Sequence, residues 1–308
     1  MEIQVVICTH NNEDIIERCL KSVYALKLKK GWKLSVLVVD DASTDGTVKA
    51  VKAFKKVRIF GSYSNIGPAA CRNTALACFD PDYYFFIDSD VVLDKDCLIE
   101  LMNGFDVGIG IVGPKLLLPD GKINSIGGGL TKSGFGFDIG YGSVDWWYLD
   151  TPADCMYICS AAMLMKKAVV DTIGMFDSAY FYGHEDTDYG WRANLAGIRV
   201  RYIPKAKATH YKGSTINKDM GMVYYHATKN RFRSILKNYN FFNVIIYGSL
   251  YILLSMGDII FRRYRKEKIK AWLWSIAHLF DTFKERAKVQ RTRMLRDSEL
   301  KFEGVIKW

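Results

Sequence analysis

Short apolar runs and amphipathic stretches alternate through the first ninety positions. Residues 3–8, 34–39, 57–60 and 83–87 are compact apolar runs, the first rich in β-branched side chains. Runs of this length between turn residues predict buried strands. Between them, residues 14–28 carry Ile15, Cys19, Val23 and Leu26 on one helical stripe. Residues 47–54, with Ser43 and Asp45 as caps, and 68–79 predict two further helices. Strands alternating with helices predict crossover connections and a mostly parallel sheet. Ligands of such sheets sit outside the carboxyl ends of the strands.

The pattern then changes twice. Residues 104–160 gather glycines at Gly127-Gly128-Gly129 and between Gly134 and Gly142, with Trp146, Trp147 and Tyr148 behind them, which predicts hairpins and loops. Short helices and strands return over 161–210. From Phe241 the chain is apolar to Met256, and Ile259-Ile260-Phe261 follows Asp258. The basic stretch 262–268 comes next, then an aromatic helix over 271–283 and more basic residues up to Arg296. The apolar run falls short of the ~20 residues that span a bilayer. A buried helix, a short tilted span and a helix lying in the membrane interface all fit it. Trp, Phe and Leu beside Lys/Arg clusters favour the interfacial arrangement.

Charge sharpens this picture. The net +10 is concentrated at the end: residues 201–308 hold 23 Lys+Arg against 8 Asp+Glu, whereas 1–200 are slightly acidic. A basic tail implies an anionic partner. Its basic residues border apolar helices and match no groove-reading motif, so a membrane surface is expected and nucleic acid is not. The seven cysteines show no CxxC pair, which suits free thiols in a reducing compartment. Residues 1–8 read as a strand and not as a signal peptide. A cytoplasmic protein, peripheral at the inner face of the cell membrane, is the expectation.

Five groups of residues carry candidate chemistry. Asp88-Ser89-Asp90 ends the apolar run 83–87. Two carboxylates this close repel and resist desolvation unless something binds them. A divalent cation with oxygen ligands answers both costs; a plain turn is the alternative. Asp40-Asp41 ends the second strand, and one of the pair is suited to accept a pyrimidine N–H. Asn65-Ile66-Gly67-Pro68 turns into a helix whose early Arg72 is placed for phosphate or sugar hydroxyls, or for a surface salt bridge. His184-Glu185-Asp186-Thr187-Asp188 precedes a helix over 189–196, where acids also serve as ordinary N-terminal residues. His210 closes a strand, where a lone histidine is ordinarily structural.

Their order is more specific than any one of them. VVICTHNN, VVDDASTDGT, NIGPAACRN, FIDSDVVL, CSAAMLMKK and IGMFDSAYFYGHEDTDYGWRANLAGIRVRYIPKAKATH together resemble the inverting family 2 of nucleotide-sugar glycosyltransferases, over about residues 3–210. Within it the chain looks most like rhamnosyltransferases. The resemblance implies the GT-A fold, an α/β architecture whose Rossmann-like mixed sheet is flanked by helices, here with a C-terminal helical, basic-aromatic extension. It divides the chain into a domain over 1–235, with a nucleotide-binding half (1–103) and an acceptor-binding half (104–235), and a membrane-associating region over 236–308.

The same resemblance implies roles. Thr9, Asp41, Arg72, Asp88 and Ser89 bind the nucleotide-sugar, and Asp88, Asp90 and His210 hold Mn2+ or Mg2+. Asp186 is the catalytic base, and Glu185, Trp146 and Trp147 line the acceptor site. The implied reaction moves a sugar from a UDP- or dTDP-sugar to a saccharide or lipid-linked acceptor with inversion. Cys159-Ser160-Ala161 and His184 depart from the family's usual residues and leave the acceptor open. A sugar-phosphate nucleotidyltransferase would carry a glycine-rich basic loop where Thr9-His10-Asn11-Asn12 stands. A nicotinamide dehydrogenase would carry GxGxxG there. A non-catalytic sugar-binding module would be free to lose the acids, yet all are present.

Overall fold

The computed structural model describes residues 1–146, 150–211, 219–261 and 263–300. Strands β1 (Glu2–Thr9), β2 (Lys33–Asp40), β3 (Val57–Gly61) and β4 (Tyr83–Asp88) run parallel in the order β4-β1-β2-β3. Both faces are covered, which is why their sequences are continuously apolar. Ile3, Val5, Ile7, Phe85 and Ile87 pack on the side of helix α1 (Ile16–Tyr24). Val6, Leu37, Tyr84 and Phe86 pack on the side of helix α3 (Pro68–Cys78). The predicted elements recur with shorter helices. Helix α2 (Thr47–Lys52) starts at Gly46 without a side-chain cap. Ser43 instead accepts from the Asn11 N–H, and Asp45 closes a turn on Thr47.

The sheet continues past β4 with reversed direction. Strand β5 (Val91–Leu93) and helix α4 (Cys97–Asn103) lead into β6 (Ile109–Leu117), which pairs with the short β7 (Ile123–Ser125). The hairpin β8 (Gly128–Leu130) and β9 (Gly136–Asp138) stands apart from the main sheet. After β10 (Ala153–Asp154), strand β11 (Ala162–Lys166) inserts antiparallel between β4 and β6. Helices α5 (Lys167–Ile173) and α6 (Glu185–Leu195) follow. Strand β12 (Arg199–His210) then pairs parallel with β6 and antiparallel with β5 and β10. The sheet is therefore mixed rather than mostly parallel, as the resemblance implied. Helix α6 begins four residues before the predicted start at 189, so Glu185, Asp186 and Asp188 form its first turn.

The C-terminal region is helical: α7 (Met220–Asn238), α8 (Phe241–Asn243), a π turn over Val244–Gly248, α9 (Ser249–Phe261), α10 (Arg265–Ala277) and α11 (Leu279–Thr292). The aromatic stretch 271–283 is divided at His278 between α10 and α11. The 235/236 boundary falls inside α7. The last carbonyls of a helix lack internal partners and attract cations. At the end of α7 they are taken by α11 and the residue that follows it. Arg286 donates to Leu236 and Tyr239, Gln290 to Lys237 and Arg293 to Asn238.

The apolar run also extends further than its composition suggested. Phe241–Ile260 is a continuous helix of 20 residues, long and apolar enough by length and composition to cross a membrane. It passes through Asp258 because Lys268 of α10 holds that carboxylate at 2.7 Å. Most of this helix is not covered by the protein: Phe241, Phe242, Ile245, Ile246, Leu253 and Leu254 are all exposed. A buried core helix does not describe it.

Candidate active site

Parallel strands bring the site residues to one edge. Register sets Thr9 opposite Asp40 and Cys8 opposite Asp88, so the ends of β1, β2 and β4 converge. Asn12, in the loop after β1, ties them together. Its Oδ1 accepts from Ser89 Oγ at 2.8 Å and from Thr9 Oγ1 at 3.4 Å. Asp41 is buried, and its carboxylate accepts from the N–H groups of Ile66 and Gly67 at 2.7 and 2.9 Å. It thereby fixes the turn that launches α3. Gly67 must be glycine: its φ is +81°, and an added Cβ would lie 2.4 Å from the Phe181 carbonyl oxygen. Asp40 accepts from the Ser43 N–H, and its other oxygen, Oδ1, is buried without a hydrogen-bond partner.

Arg72 rises from α3 into the middle of the site, 2% exposed. Its guanidinium donates to Asp88 Oδ1 at 2.9 Å and to Glu185 Oε1 at 3.1 Å. Those carboxylates hold it charged, raising its already high pKa against the cost of burial. The surface salt bridge is thus excluded for Arg72. It links Asp88 at the end of β4 to the first turn of α6.

Asp88, Asp90 and His210 form a cluster whose ligand atoms lie within 4.8 Å of one another. His210 reaches it because β5 and the end of β12 pair, with His210 opposite Val91. The His210 ring is oriented by Asn124, whose Oδ1 lies 3.0 Å from Nδ1. With Nδ1 donating there, Nε2 presents its lone pair toward Asp90 Oδ1 at 3.2 Å. Two acceptors so close are reconciled by a shared proton or by a cation. The donor set, two carboxylates and one imidazole, suits a divalent ion such as Mn2+.

The first turn of α6 supplies the other half. Asp186 is half-buried, and its Oδ1 accepts from the Thr187 N–H at 2.7 Å. Burial and the adjacent charges of Glu185 and Asp138 push its pKa up to about 7. A carboxylate poised there is matched to proton abstraction near neutral pH. Glu185 keeps its second oxygen buried and without a hydrogen-bond partner. Burial drives the pKa of His184 down to about 4, so this ring adds no charge beside Asp186. His184 also has φ +76°, a left-handed conformation costing about 1 kcal/mol or more outside glycine.

A buried ionic network holds α6 in place. Asp188 Oδ2 accepts from Arg192 at 2.9 Å and Lys237 at 3.1 Å, and its Oδ1 from Asn238 at 3.0 Å. Asp177 accepts from Arg233 at 2.8 Å and Lys237 at 2.6 Å. Asp188 is thereby a structural residue of α6. Trp146 is exposed, and Trp147 lies outside the described residues. The loop bearing Trp146 is anchored instead by Lys115 of β6, whose buried ammonium reaches Asp145 at 2.6 Å and Asp150 at 2.7 Å. Asn12, Asn124, Lys115 and Asp138 escaped the sequence reading. Asn12 lay within a quoted motif; the others carry no local signal.

Fold and site together define a class: an α/β domain presenting a carboxylate–histidine triad and a half-buried acid at one edge of a mixed sheet. Residues 4–169, more than half of the chain, match the family described as "Glycosyl transferase family 2", and the chain belongs to that family. It is 30% identical over 217 residues to a pre-mycofactocin glycosyltransferase of Mycobacterium tuberculosis, covering 68% of this chain and 42% of that protein. The chain thus spans less than half the length of that relative. It is 25% identical to the N-acetylglucosaminyl-diphospho-decaprenol L-rhamnosyltransferase of the same organism, covering 70% of this chain and 78% of the relative. The fold is similar to that of GalNAc-T7 solved with UDP, GalNAc and Mn2+. The TM-score is 0.63 at 14% identity, covering 83% of this chain and 50% of the other. The family match ends before Asp186 and His210.

Proposed function

We propose that this chain is a metal-dependent inverting glycosyltransferase that moves a sugar from a nucleoside diphosphate, UDP or dTDP, to a saccharide or lipid-linked acceptor. The observation that carries this reading is the meeting of the Asp88, Asp90 and His210 cluster with a second carboxylate, Asp186, whose pKa is pushed up to about 7. Asp88, Asp90 and His210 would hold Mn2+ or Mg2+. Such a cation, when bound, supplies Lewis-acid neutralisation of the leaving diphosphate. Thr9, Asp41 and Ser89 belong to the wall that receives the nucleotide. Arg72 keeps Asp88 and Glu185 in register. Asp186 removes the proton from an acceptor hydroxyl as that oxygen bonds to the anomeric carbon. The bond from this carbon to the diphosphate oxygen breaks on the opposite face, which inverts the centre. Glu185 and Trp146 border the acceptor side in this reading.

The structure of similar fold named with UDP and Mn2+ supports the donor class and the ion, and the relative named for a diphospho-decaprenol acceptor supports a lipid-linked one. A lipid-linked acceptor is supported by the exposed helix Phe241–Ile260 and by the exposed cations of the stretch that follows it, Arg263, Arg265, Lys266, Lys270, Lys284 and Lys288. This is the composition of a membrane-interface element, and it supports a place at an anionic membrane surface.

The deciding experiment is a panel of UDP-, dTDP- and GDP-sugars with Mn2+ or Mg2+, read by thermal shift and by slow release of the nucleoside diphosphate. Metal-dependent stabilisation by one donor, lost in Asp90→Ala, is expected. A folded protein that answers no nucleotide in the presence of metal would refute the reading.

A further inference from the structure

The turn that delivers Asp186 has no regular structure of its own, and helix α7 supplies the missing contacts. Gly183 and His184 are successive left-handed residues, with φ of +70° and +76°. Such a pair persists only where surrounding contacts over-determine it. Asn230, fully buried in α7, donates its amide N–H groups to the carbonyls of Tyr182 at 3.0 Å and Gly183 at 2.8 Å. The orientation of that amide is set in turn. Lys229, also buried, gives its ammonium to Asn230 Oδ1 at 2.9 Å and to the Ala179 carbonyl at 2.6 Å. The ammonium lies 4.2 Å from the centre of the Trp274 ring of α10, so the C-terminal helices complete its surroundings. The Phe181 ring of the same turn stacks on His226 of α7 at 5.4 Å. Three residues of one helix thus grip four of the six positions 179–184.

We infer that Asn230, aligned by Lys229, is a positioning residue for the reaction: it fixes the left-handed turn 183–184 and through it the direction of the Asp186 carboxylate. Among the described residues, neither side chain has a hydrogen bond to Asp88, Asp90 or His210, or to Thr9, Asp41 or Ser89. Both act on the base through the backbone alone. This inference rests on the reading of Asp186 as the base.

The test uses the full chain and compares Asn230→Ala, Lys229→Met, Lys229→Arg and Asp186→Asn. The probe is hydrolysis of whichever of UDP-N-acetylglucosamine, dTDP-rhamnose or GDP-mannose the unsubstituted chain turns over with Mn2+. Asn230→Ala is expected to lower kcat about 100-fold, the scale of a misplaced catalytic group. Donor KM stays unchanged, and the midpoint of the kcat–pH profile moves. Lys229→Met should show the same split, and Lys229→Arg should restore most of the turnover. Unchanged kcat and pH midpoint in folded Asn230→Ala would overturn the inference. So would an equal loss of donor binding, which marks a general loosening. Where Asn230→Ala does not fold, Lys229→Met against Lys229→Arg decides by the same split. Near-normal turnover in Asp186→Asn would sink the base assignment itself. An inactive Asp186→Asn beside a fully active Asn230→Ala would sink only the positioning role.

Discussion

His210 Nε2 lies 3.2 Å from Asp90 Oδ1, although the two residues are 120 positions apart in the chain. The contact exists because β5 leaves Asp90 directly and pairs with the last residues of β12. Asn124 holds the far side of the ring. Replacing such an outer partner typically costs 10–100-fold in metal affinity. Asn124→Ala should therefore weaken Mn2+ binding by about that factor, and His210→Ala by more. Calorimetric titration of Mn2+ in the presence of UDP checks this. Equal affinities across the series would remove His210 from the metal site.

Asp186→Asn should lower turnover by roughly 10²–10⁴-fold and leave donor affinity intact. In the unsubstituted enzyme kcat should rise with pH through about 7 and level off above it, because the base works only when deprotonated. A profile flat from pH 5.5 to 8.5 would contradict this.

The same raised pKa has a stability consequence of opposite sign to the usual carboxylate. Between about pH 4 and 7 the folded chain holds a proton on Asp186 that the unfolded chain has released. Stability attributable to this group therefore falls as pH rises through that window. Asp186→Asn should raise Tm at pH 8 and leave it unchanged at pH 4, as read by parallel melts.

Asp177 behaves in the opposite way. The ammonium of Lys237 and the guanidinium of Arg233 hold its carboxyl well below the usual carboxylate range. Its contribution is present above about pH 4 and is lost as pH falls further. Removing one partner of a buried pair costs about 3–5 kcal/mol, so Asp177→Asn should be strongly destabilising in urea titrations at pH 7. A change within about 0.5 kcal/mol would show that the network carries little stability.

At the membrane, Leu253→Glu combined with Phe280→Glu should weaken co-sedimentation with phosphatidylglycerol vesicles. Both side chains are exposed, at 68% and 75%. Raised salt should weaken binding of the unsubstituted chain as well. Unaltered binding in the double variant would assign vesicle contact to another surface.

The Asp41 and Asp88 side of the site was legible in the sequence because apolar strands ending in acids announce themselves one strand at a time. The ends of β1, β2 and β4 needed only local pattern. His210 did not: its place depends on the β5–β12 pairing, which no local spacing encodes, and only the family resemblance pointed to it. The cations of α7 were hidden for a related reason. Arg233 and Lys237 entered only as part of the basic tail's charge, while their carboxylate partners lie 48 to 60 residues away. Asp258 misled in the reverse sense. As an isolated acid it ended the apolar run, yet paired with Lys268 it is simply another helical position.

Helix α7 touches the turn before Asp186 with one set of side chains and offers its terminal carbonyls to α11 with its last residues. Residues 174–195 and 220–293 are consequently one inheritable block. A chimera that exchanges the C-terminal helices while keeping the native turn would receive the wrong counter-ions for Asp177 and Asp188. Successful exchanges should be those that move the turn and the helices together.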